Sequence, residues 1–309
     1  MAEKLYQRDI YGETLVELGR KDKDIVVLDA DLSGSTRTRT FAKAFPERFF
    51  NFGVAEQNMM AASAGLASCG KLVFVSTFAV FATGRAWDQV RNTISFNGFN
   101  VKIVATHAGI TVGPDGSSHQ ALEDIALMRV IPNMNIIVPA DAPQTREAVI
   151  AAAVHPGPFY IRLGRPKITT IENKPKFEFG KAQILKQGRD VAIIACGVMV
   201  GEALAAAENL SRKNIDVSVI NLHTIRPLDK EAVLKAARES RGIVVCEEHA
   251  AVGGLASCVD EIVAEEAPVK VIRVGIRNRF GQSGTPAELL KEYSLTSSDI
   301  EKAAIASTK

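Results

Sequence analysis

The sequence predicts an α/β protein with two domains, a doubly wound and mostly parallel sheet followed by a smaller α/β unit. Short apolar runs alternate with stretches of helical periodicity, which is the pattern of consecutive β-α-β units. The pattern stops in a polar stretch over residues 169–188 and then resumes. The 309 residues, 47% of them hydrophobic, are enough for two cores. We expect the first domain at residues 1–172, a linker at 173–189 and the second domain at 190–309.

The elements of the first domain follow from its apolar runs, taken in chain order. Helical periodicity over residues 10–20 precedes a buried strand at 24–31, whose end carries Asp29 and Asp31. A polar loop at 33–36 follows that strand, and parallel sheets usually place ligand contacts in such loops. Further strands are expected at 71–78, 101–107, 135–139 and 159–163, with helices through 87–96 and over 144–154.

The second domain shows the same alternation over a shorter length. Its predicted strands are residues 191–196, 216–220, 242–246 and 269–274, with helices between them. Neither domain shows a short repeat or a coiled-coil heptad. The second unit is therefore expected to be an α/β domain as well.

Composition argues against several classes of function. The formal net charge is +2 and no basic block stands out, which disfavours nucleic acid or an anionic membrane surface as a partner. The charged start and the lack of a run of about 18 apolar residues predict a cytoplasmic protein. The four cysteines lie far apart without C-x-x-C spacing, so we interpret them as free buried thiols rather than disulfides or metal ligands.

Glu56 is the single acid in the first turn of a helix rich in Ala and Gly, which opens after Gly53. An acid there complements the positive end of the helix dipole, and a functional carboxylate would occupy the same position. The helix alone therefore leaves both roles open. Its small residues would let another helix approach closely.

Residues 106–120 form a loop with unusual polar density between a strand and a helix. The loop contains His107, Asp115, His119 and several glycines. A turn needs Gly and Asp but not a pair of histidines, so this composition favours a functional loop. Its Pro-Asp-Gly sequence loosely imitates a magnesium diphosphate motif, but the first glycine of that motif is missing and we reject a metal site there.

Two further groups of residues follow strand ends. Phe78 and Phe81 lie three apart where a strand leads into a helix, and core packing is the default interpretation of such a pair. Arg162 and Arg165 flank Gly164 and have the composition of an anion clamp, although two surface arginines would look the same.

Several motifs in a fixed order resemble the C-terminal half of transketolase over nearly the whole chain. They are Ala30-Asp31-Leu32-Ser33, Gly53-Val54-Ala55-Glu56-Gln57, Ser76-Thr77-Phe78, Gly113-Pro114-Asp115-Gly116-Ser117-Ser118-His119-Gln120, Ile131-Pro132-Asn133 and Thr224-Ile225-Arg226-Pro227-Leu228-Asp229. The resemblance implies a pyrimidine-binding domain followed by the C-terminal domain of a thiamine diphosphate enzyme.

The resemblance also assigns roles to single residues. It implies that Glu56 hydrogen-bonds the aminopyrimidine ring of thiamine diphosphate and takes part in the proton relay that activates it. Phe78 and Phe81 would form the pocket for that ring, and Asp31 would lie near the cofactor. The positions that match the family's sugar-phosphate contacts are His107, Asp115, His119 and Arg165, with weaker matches at Arg8 and Ser35; His119 is also expected to be catalytic.

The family's diphosphate-binding domain, which holds Mg²⁺, is not found in these residues. We therefore expect an N-terminal partner chain of about 250–300 residues, a cofactor shared between the two chains, and an α2β2 heterotetramer acting in the pentose phosphate pathway. The alternatives are a 1-deoxyxylulose 5-phosphate synthase-like subunit, a 2-oxo-acid dehydrogenase beta-like subunit and a non-catalytic regulatory paralogue. His249 resembles part of a family signature and is interpreted as structural or interfacial.

Overall fold

The computed structural model describes residues 3–308, in which strands and helices alternate along the chain. The strands are β1 (Lys4–Tyr6), β2 (Ile25–Asp29), β3 (Phe49–Asn51), β4 (Leu72–Ser76), β5 (Val101–Ala105), β6 (Asn135–Ile137), β7 (Phe159–Arg162), β8 (Lys167–Thr169), β9 (Gln183–Lys186), β10 (Val191–Ala195), β11 (Val217–Asn221), β12 (Thr224–Arg226), β13 (Ile243–Ala250) and β14 (Val271–Ile276). The helices are α1 (Gln7–Lys21), α2 (Ser33–Thr36), α3 (Arg39–Ala44), α4 (Glu56–Ser68), α5 (Asp124–Arg129), α6 (Ala142–Val154), α7 (Met199–Ser211), α8 (Lys230–Glu239), α9 (Leu255–Glu266), α10 (Pro286–Glu292) and α11 (Ser297–Ser307).

The first domain is built on a seven-stranded sheet in the order β12-β6-β7-β5-β4-β2-β3. All neighbouring strands are parallel except β12, which runs antiparallel to β6. Helices α1 and α6 pack on one face, and α4 packs with the segment Gln89–Ser95 on the other. Strands covered on both faces are nearly continuous apolar runs, which is why the sequence predicts β2, β4 and β5.

The second domain has a five-stranded sheet in the order β14-β13-β10-β11-β9, with only β9 antiparallel. Helices α7 and α11 cover one face. The predicted fold class, two domains with mostly parallel sheets, is confirmed. One apolar cluster extends from the first sheet to the second, through side chains such as Val138 and Ile194, so the two domains share part of their core.

The structure differs from the elements predicted from the sequence in several local features. Residues 33–36, expected as a loop, form the single helical turn α2. The helix expected through residues 87–96 contains the π-helical stretch Gln89–Ser95, and a second π-helical stretch, Phe81–Arg85, precedes it. Residues 173–189, expected as a linker, contain β9, which belongs to the second sheet. The domain boundaries themselves stay a prediction.

The expectation of free buried thiols is confirmed for three of the four cysteines and is wrong for the exposure of Cys69. Cys196, Cys246 and Cys258 are buried free thiols, whereas Cys69 is exposed at the end of α4. Cys69 follows the last turn of that helix, where the chain leaves the core to enter a glycine turn. No helix within residues 3–308 combines the length and the apolar character that a membrane span requires.

Candidate active site

The predicted site residues lie at one edge of the seven-stranded sheet, where its parallel strands end. Site residues follow four of these strands directly or nearly so, with Asp31 after β2, Phe78 after β4, His107 after β5 and Arg165 after β7. Glu56 begins α4, which follows β3 across a short turn. Parallel strands present their carboxyl ends on the same side, so residues distant in sequence are gathered there.

The carboxylate of Glu56 is buried, with 2% of the residue exposed. Its Oε1 accepts a hydrogen bond of 2.9 Å from Nη1 of Arg85. Its Oε2 is equally buried and has no hydrogen-bond partner within the described part of the chain. A buried carboxylate oxygen without a donor is unfavourable by about 1–3 kcal/mol. The arrangement therefore suits a ligand that donates a hydrogen bond to Oε2.

Arg85 reaches Glu56 because of the backbone between Phe78 and Arg85. Ala82 donates its amide hydrogen to the carbonyl of Phe78 over 2.9 Å, and the chain then continues as a π-helical stretch to Arg85. The Arg85 guanidinium carbon lies 4.4 Å from the centroid of the Phe81 ring. Such wide turns are uncommon and frequently occur at functional sites. Arg85 was not identified from the sequence.

Four rings form a cluster that Arg85 links to this carboxylate. Phe78 stacks on His107 with centroids 3.8 Å apart and on Phe81 with centroids 6.0 Å apart. His119 meets the edge of Phe81 at 5.4 Å. Phe78 is 6% exposed, whereas Phe81 and His119 are half-buried. The structure thus brings together both phenylalanines and both loop histidines, and it gives the cluster an accessible side.

His107 is held as a neutral ring. Burial, with a smaller effect from the nearby cations Arg8 and Arg165, lowers its pKa from the ordinary value of 6.5 to about 3. Its Nδ1 lies 2.9 Å from Oγ1 of Thr106. The residue has the left-handed backbone conformation, with φ +58°, and its ring stacks on Phe78.

Arginines surround the other side of His107. Arg8 of α1 donates from Nη1 to the backbone carbonyl of Ser35 over 3.3 Å, so the weaker sequence matches Arg8 and Ser35 are in contact. Arg37 lies nearby, paired with Asp9 at 2.5 Å, and together with burial it lowers the pKa of Arg8. Several cations close to a neutral histidine make this side of the site suitable for an anionic group.

Asp115 and Arg165 meet at the rim of the site. Nη2 of Arg165 lies 3.8 Å from Oδ1 of Asp115, and Nη1 donates to the carbonyl of Val112. Gly113 has φ +87° and approaches Arg165 closely, so a side chain at this position would be strained and crowded. The loop also packs on the second domain, where Ser283 donates from Oγ to the carbonyl of Pro114 over 3.1 Å.

Asp31 is exposed and lies beside the turn that leads to Glu56. Its backbone amide donates to Oδ1 of Asn51 over 3.0 Å, and Nδ2 of Asn51 donates back to Oδ1 of Asp31 over 3.2 Å. The residue has φ +62°. Asn51 also accepts from the amide of Gly53, so one asparagine connects Asp31 with the entry to α4.

The proposed clamp of Arg162 and Arg165 is not formed. Arg162 is buried, and its Nε donates to Oδ2 of Asp124 over 2.7 Å. Tyr160 donates to the same carboxylate oxygen over 2.6 Å. All four residues of β7 are buried, so the side chain of Arg162 remains inside the fold, and only Arg165, past the end of the strand, reaches the site.

The second domain contacts the loop of residues 106–120, referred to below as the histidine loop. Oε1 of Glu248 in β13 accepts a 2.6 Å hydrogen bond from the amide of Thr111. Burial raises the pKa of Glu248. His249 is fully buried, and its Nε2 lies 3.4 Å from the amide of Ala126, so it contacts the first domain. Sequence reasoning missed Glu248, although the run of charged residues at the end of an apolar strand was a signal that a polar network lies there.

Three or more His, Cys, Asp or Glu side chains in a metal-binding arrangement do not occur among residues 3–308. The fold and the site together define a doubly wound α/β protein whose candidate ligand site lies at the carboxyl ends of its strands, where Arg85 links a buried acid to a cluster of aromatic rings. The chain matches the pyrimidine-binding domain of transketolase over residues 3–170 and the transketolase C-terminal domain over residues 180–300. It belongs to the transketolase family.

Two relatives and one solved structure illustrate this membership. A putative transketolase C-terminal section from Methanocaldococcus jannaschii is 50% identical over 94% of this chain and 93% of the relative. The 6-deoxy-6-sulfo-D-fructose transketolase subunit SqwH from Clostridium sp. strain MSTE9 is 41% identical over 98% and 94%. A solved split-gene transketolase, an inactive β4 tetramer, superimposes with a TM-score of 0.92 at 50% identity, covering 98% of each chain.

Proposed function

We propose that this chain is the pyrimidine-binding subunit of a split transketolase, which moves a two-carbon ketol unit from a ketose phosphate to an aldose phosphate. The observation that carries the proposal is the buried carboxylate of Glu56, whose Oε2 has no partner among the described residues. Arg85, which binds its Oε1, lies over the ring of Phe81 and so links this acid to the aromatic cluster. Packing alone does not require a buried acid with one unsatisfied oxygen. A cofactor ring that donates a hydrogen bond would satisfy it.

The cofactor proposed for this site is thiamine diphosphate. Glu56 would accept a hydrogen bond at Oε2 from the aminopyrimidine ring and share that proton with the ring nitrogen, while Phe78 and Phe81 would pack on the ring. Asp31, exposed beside the entry to α4, would lie near the cofactor. When bound, thiamine diphosphate supplies the carbon nucleophile that ketol transfer requires. The neutral ring of His107, stacked on Phe78, would close the pocket on its substrate side.

The substrate side would be formed by the polar residues around His107. Ketol transfer needs donors for sugar hydroxyls and cations for a terminal phosphate, and charge-assisted hydrogen bonds suit both. The residues proposed for these contacts are His107, Asp115, His119, Arg165, Arg8 and Ser35. His119 is half-buried at the edge of Phe81 and would act on substrate oxygens as a catalytic residue. The neighbouring arginines support a phosphorylated substrate.

A partner chain would complete the site. We propose an N-terminal subunit that binds the diphosphate and Mg²⁺, with the cofactor shared between the chains in an α2β2 assembly. The names of the relatives, a C-terminal section and a subunit, support the existence of a separate partner chain. The exposed face of α4, which includes Ala61 and Gly65, and the exposed Val54 just before it are candidates for the contact.

The test is reconstitution of the full chain with a diphosphate-binding transketolase subunit from the same organism. Ketol transfer from fructose 6-phosphate to an aldose phosphate should require both chains, thiamine diphosphate and Mg²⁺. Decarboxylation of pyruvate by the same mixture would instead favour a 1-deoxyxylulose 5-phosphate synthase-like enzyme. Tight binding of thiamine diphosphate by this chain alone would contradict the shared site.

A further inference from the structure

We propose that Arg85 is a positioning residue that fixes one oxygen of the Glu56 carboxylate so that the other is directed to the cofactor. The inference rests on the proposed function, because it concerns how Glu56 receives a thiamine ring. It goes beyond the family resemblance, which drew attention to Glu56 and the two phenylalanines but not to the arginine four positions after Phe81.

Two contacts define the position of the Arg85 guanidinium. Nη1 donates to Oε1 of Glu56 over 2.9 Å, and the guanidinium carbon lies 4.4 Å from the centroid of the Phe81 ring. The backbone carbonyl of Arg85 accepts from Nε2 of Gln57 over 3.2 Å, so the residue is tied to the first turn of α4 a second time. Arg85 thus connects the acid with one ring of the aromatic cluster.

The two oxygens of Glu56 are in different environments. Oε1 is satisfied by Arg85, whereas Oε2 is buried and has no partner in the part of the chain that the structure describes. If both oxygens were free, the carboxylate would rotate, and neither oxygen would keep a fixed direction. With Oε1 held by a charge-assisted bond, the acceptor lone pairs of Oε2 keep one orientation before a ligand arrives.

Arginine is suited to this role for two reasons. Its guanidinium remains charged, and its planar face stacks on an aromatic ring while its edge donates hydrogen bonds. The side chain of Arg85 is 48% exposed, whereas that of Glu56 is 2% exposed. The solvated part of the guanidinium lowers the cost of keeping a charge next to the buried acid.

A double-mutant cycle on cofactor binding tests the proposal. The wild type, Arg85→Met, Glu56→Gln and the double variant are each assembled with the diphosphate-binding partner chain, and the Kd for thiamine diphosphate is measured by calorimetry with Mg²⁺ present. If Arg85 acts through Glu56, Arg85→Met should weaken binding about tenfold in the wild type and less than about twofold in the Glu56→Gln background.

Two further variants separate positioning from a structural role. Arg85→Lys keeps a cation within reach of Oε1 and should restore most of the affinity that Arg85→Met loses. Arg91→Met is the matched control, because Arg91 is an exposed arginine on the next π-helical stretch and lies by Trp87 and Asn92 instead of Glu56. It should leave the Kd unchanged. Thermal unfolding of each assembly verifies that the variants are folded.

The possible results lead to different conclusions. Equal weakening by Arg85→Met in both backgrounds would overturn the proposal, since Arg85 would then act on the cofactor or the fold independently of Glu56. An unchanged Kd for Arg85→Met, or a loss that Arg85→Lys does not restore, would also overturn it. A wild-type assembly that does not bind thiamine diphosphate would contradict the proposed function itself, and with it this inference.

Discussion

Glu248 accepts a 2.6 Å hydrogen bond from the backbone amide of Thr111, so a buried acid of the second sheet holds the loop that carries His107 and His119. Glycine is required at position 109, because a Cβ atom there would collide with the same carboxylate. The second domain therefore holds the histidine loop in place, although the loop and its proposed ligand-binding residues belong to the first domain.

Replacing Glu248 tests this support. Glu248→Ala leaves the Thr111 amide buried without an acceptor, and we expect the free energy of unfolding to fall by about 1–3 kcal/mol. Glu248→Gln keeps a carbonyl oxygen and should cost less. Hydrogen exchange at the amide of Thr111, together with urea unfolding, measures both effects. Equal protection of that amide in wild type and Glu248→Ala would show that the contact does not order the loop.

Replacing Glu56 tests its proposed role as the hydrogen-bond acceptor for the cofactor ring. Glu56→Gln and Glu56→Ala should abolish most ketol transfer in the reconstituted assembly, because neither side chain supplies a carboxylate to the cofactor ring. The fold should persist, since Arg85 is half-exposed and water can replace its lost partner. Steady-state rates and thermal unfolding are the measurements, with the exposed Glu47→Gln as control. Near-normal turnover in Glu56→Ala would refute the assignment.

The two arginines of the sequence Arg162-Leu163-Gly164-Arg165 should behave differently. Arg162→Met leaves the buried carboxylate of Asp124 without its cation, and breaking a buried pair in this way typically costs about 3–5 kcal/mol. Arg165→Met should leave stability nearly unchanged and raise KM for phosphorylated substrates. Urea unfolding and substrate titration separate the two. Similar stability losses in both variants would contradict the distinction.

The neutral state of His107 predicts a specific dependence on pH. Burial and the adjacent arginines lower the pKa of His107 to about 3, whereas the unfolded chain binds a proton near 6.5. Between these values the unfolded state holds more protons, so the free energy of unfolding should decrease as pH falls below about 6.5. His107→Asn removes this contribution, and asparagine tolerates the positive φ of the site.

The measurement is urea unfolding of wild type and His107→Asn at pH 7, 6 and 5. The difference in unfolding free energy should shift in favour of the variant as the pH decreases. A difference that is constant over this range would show that His107 titrates alike in the folded and unfolded chains.

The fold class was predictable because strands buried on both faces leave apolar runs in the sequence. β2, β4, β5 and β10 are such strands. The edge strands β3 and β12 were not identified, because three residues without alternation carry no local signal and pairing with a distant strand determines them.

The site was predictable only in part. The resemblance supplied Glu56 and the phenylalanines, and the structure brings these residues together. Arg85 was missed because its partner lies 29 positions earlier and the connecting turn is π-helical, outside the ordinary helical period. The burial of Arg162 was missed for a different reason, because the sequence alone does not show which of Arg162 and Arg165 points into the fold.

The antiparallel pairing of β12 with β6 has a consequence for recombination between relatives. Thr224 lies opposite Ile137, and Arg226 donates from Nη1 to the carbonyl of Arg129 over 2.6 Å, so a segment of the C-terminal region completes the first sheet. A chimaera joined between residues 170 and 180 would bring together a sheet and an edge strand of different origin. Exchange between homologous genes therefore preserves this fold only where both parts are inherited together or where the register at this edge is compatible.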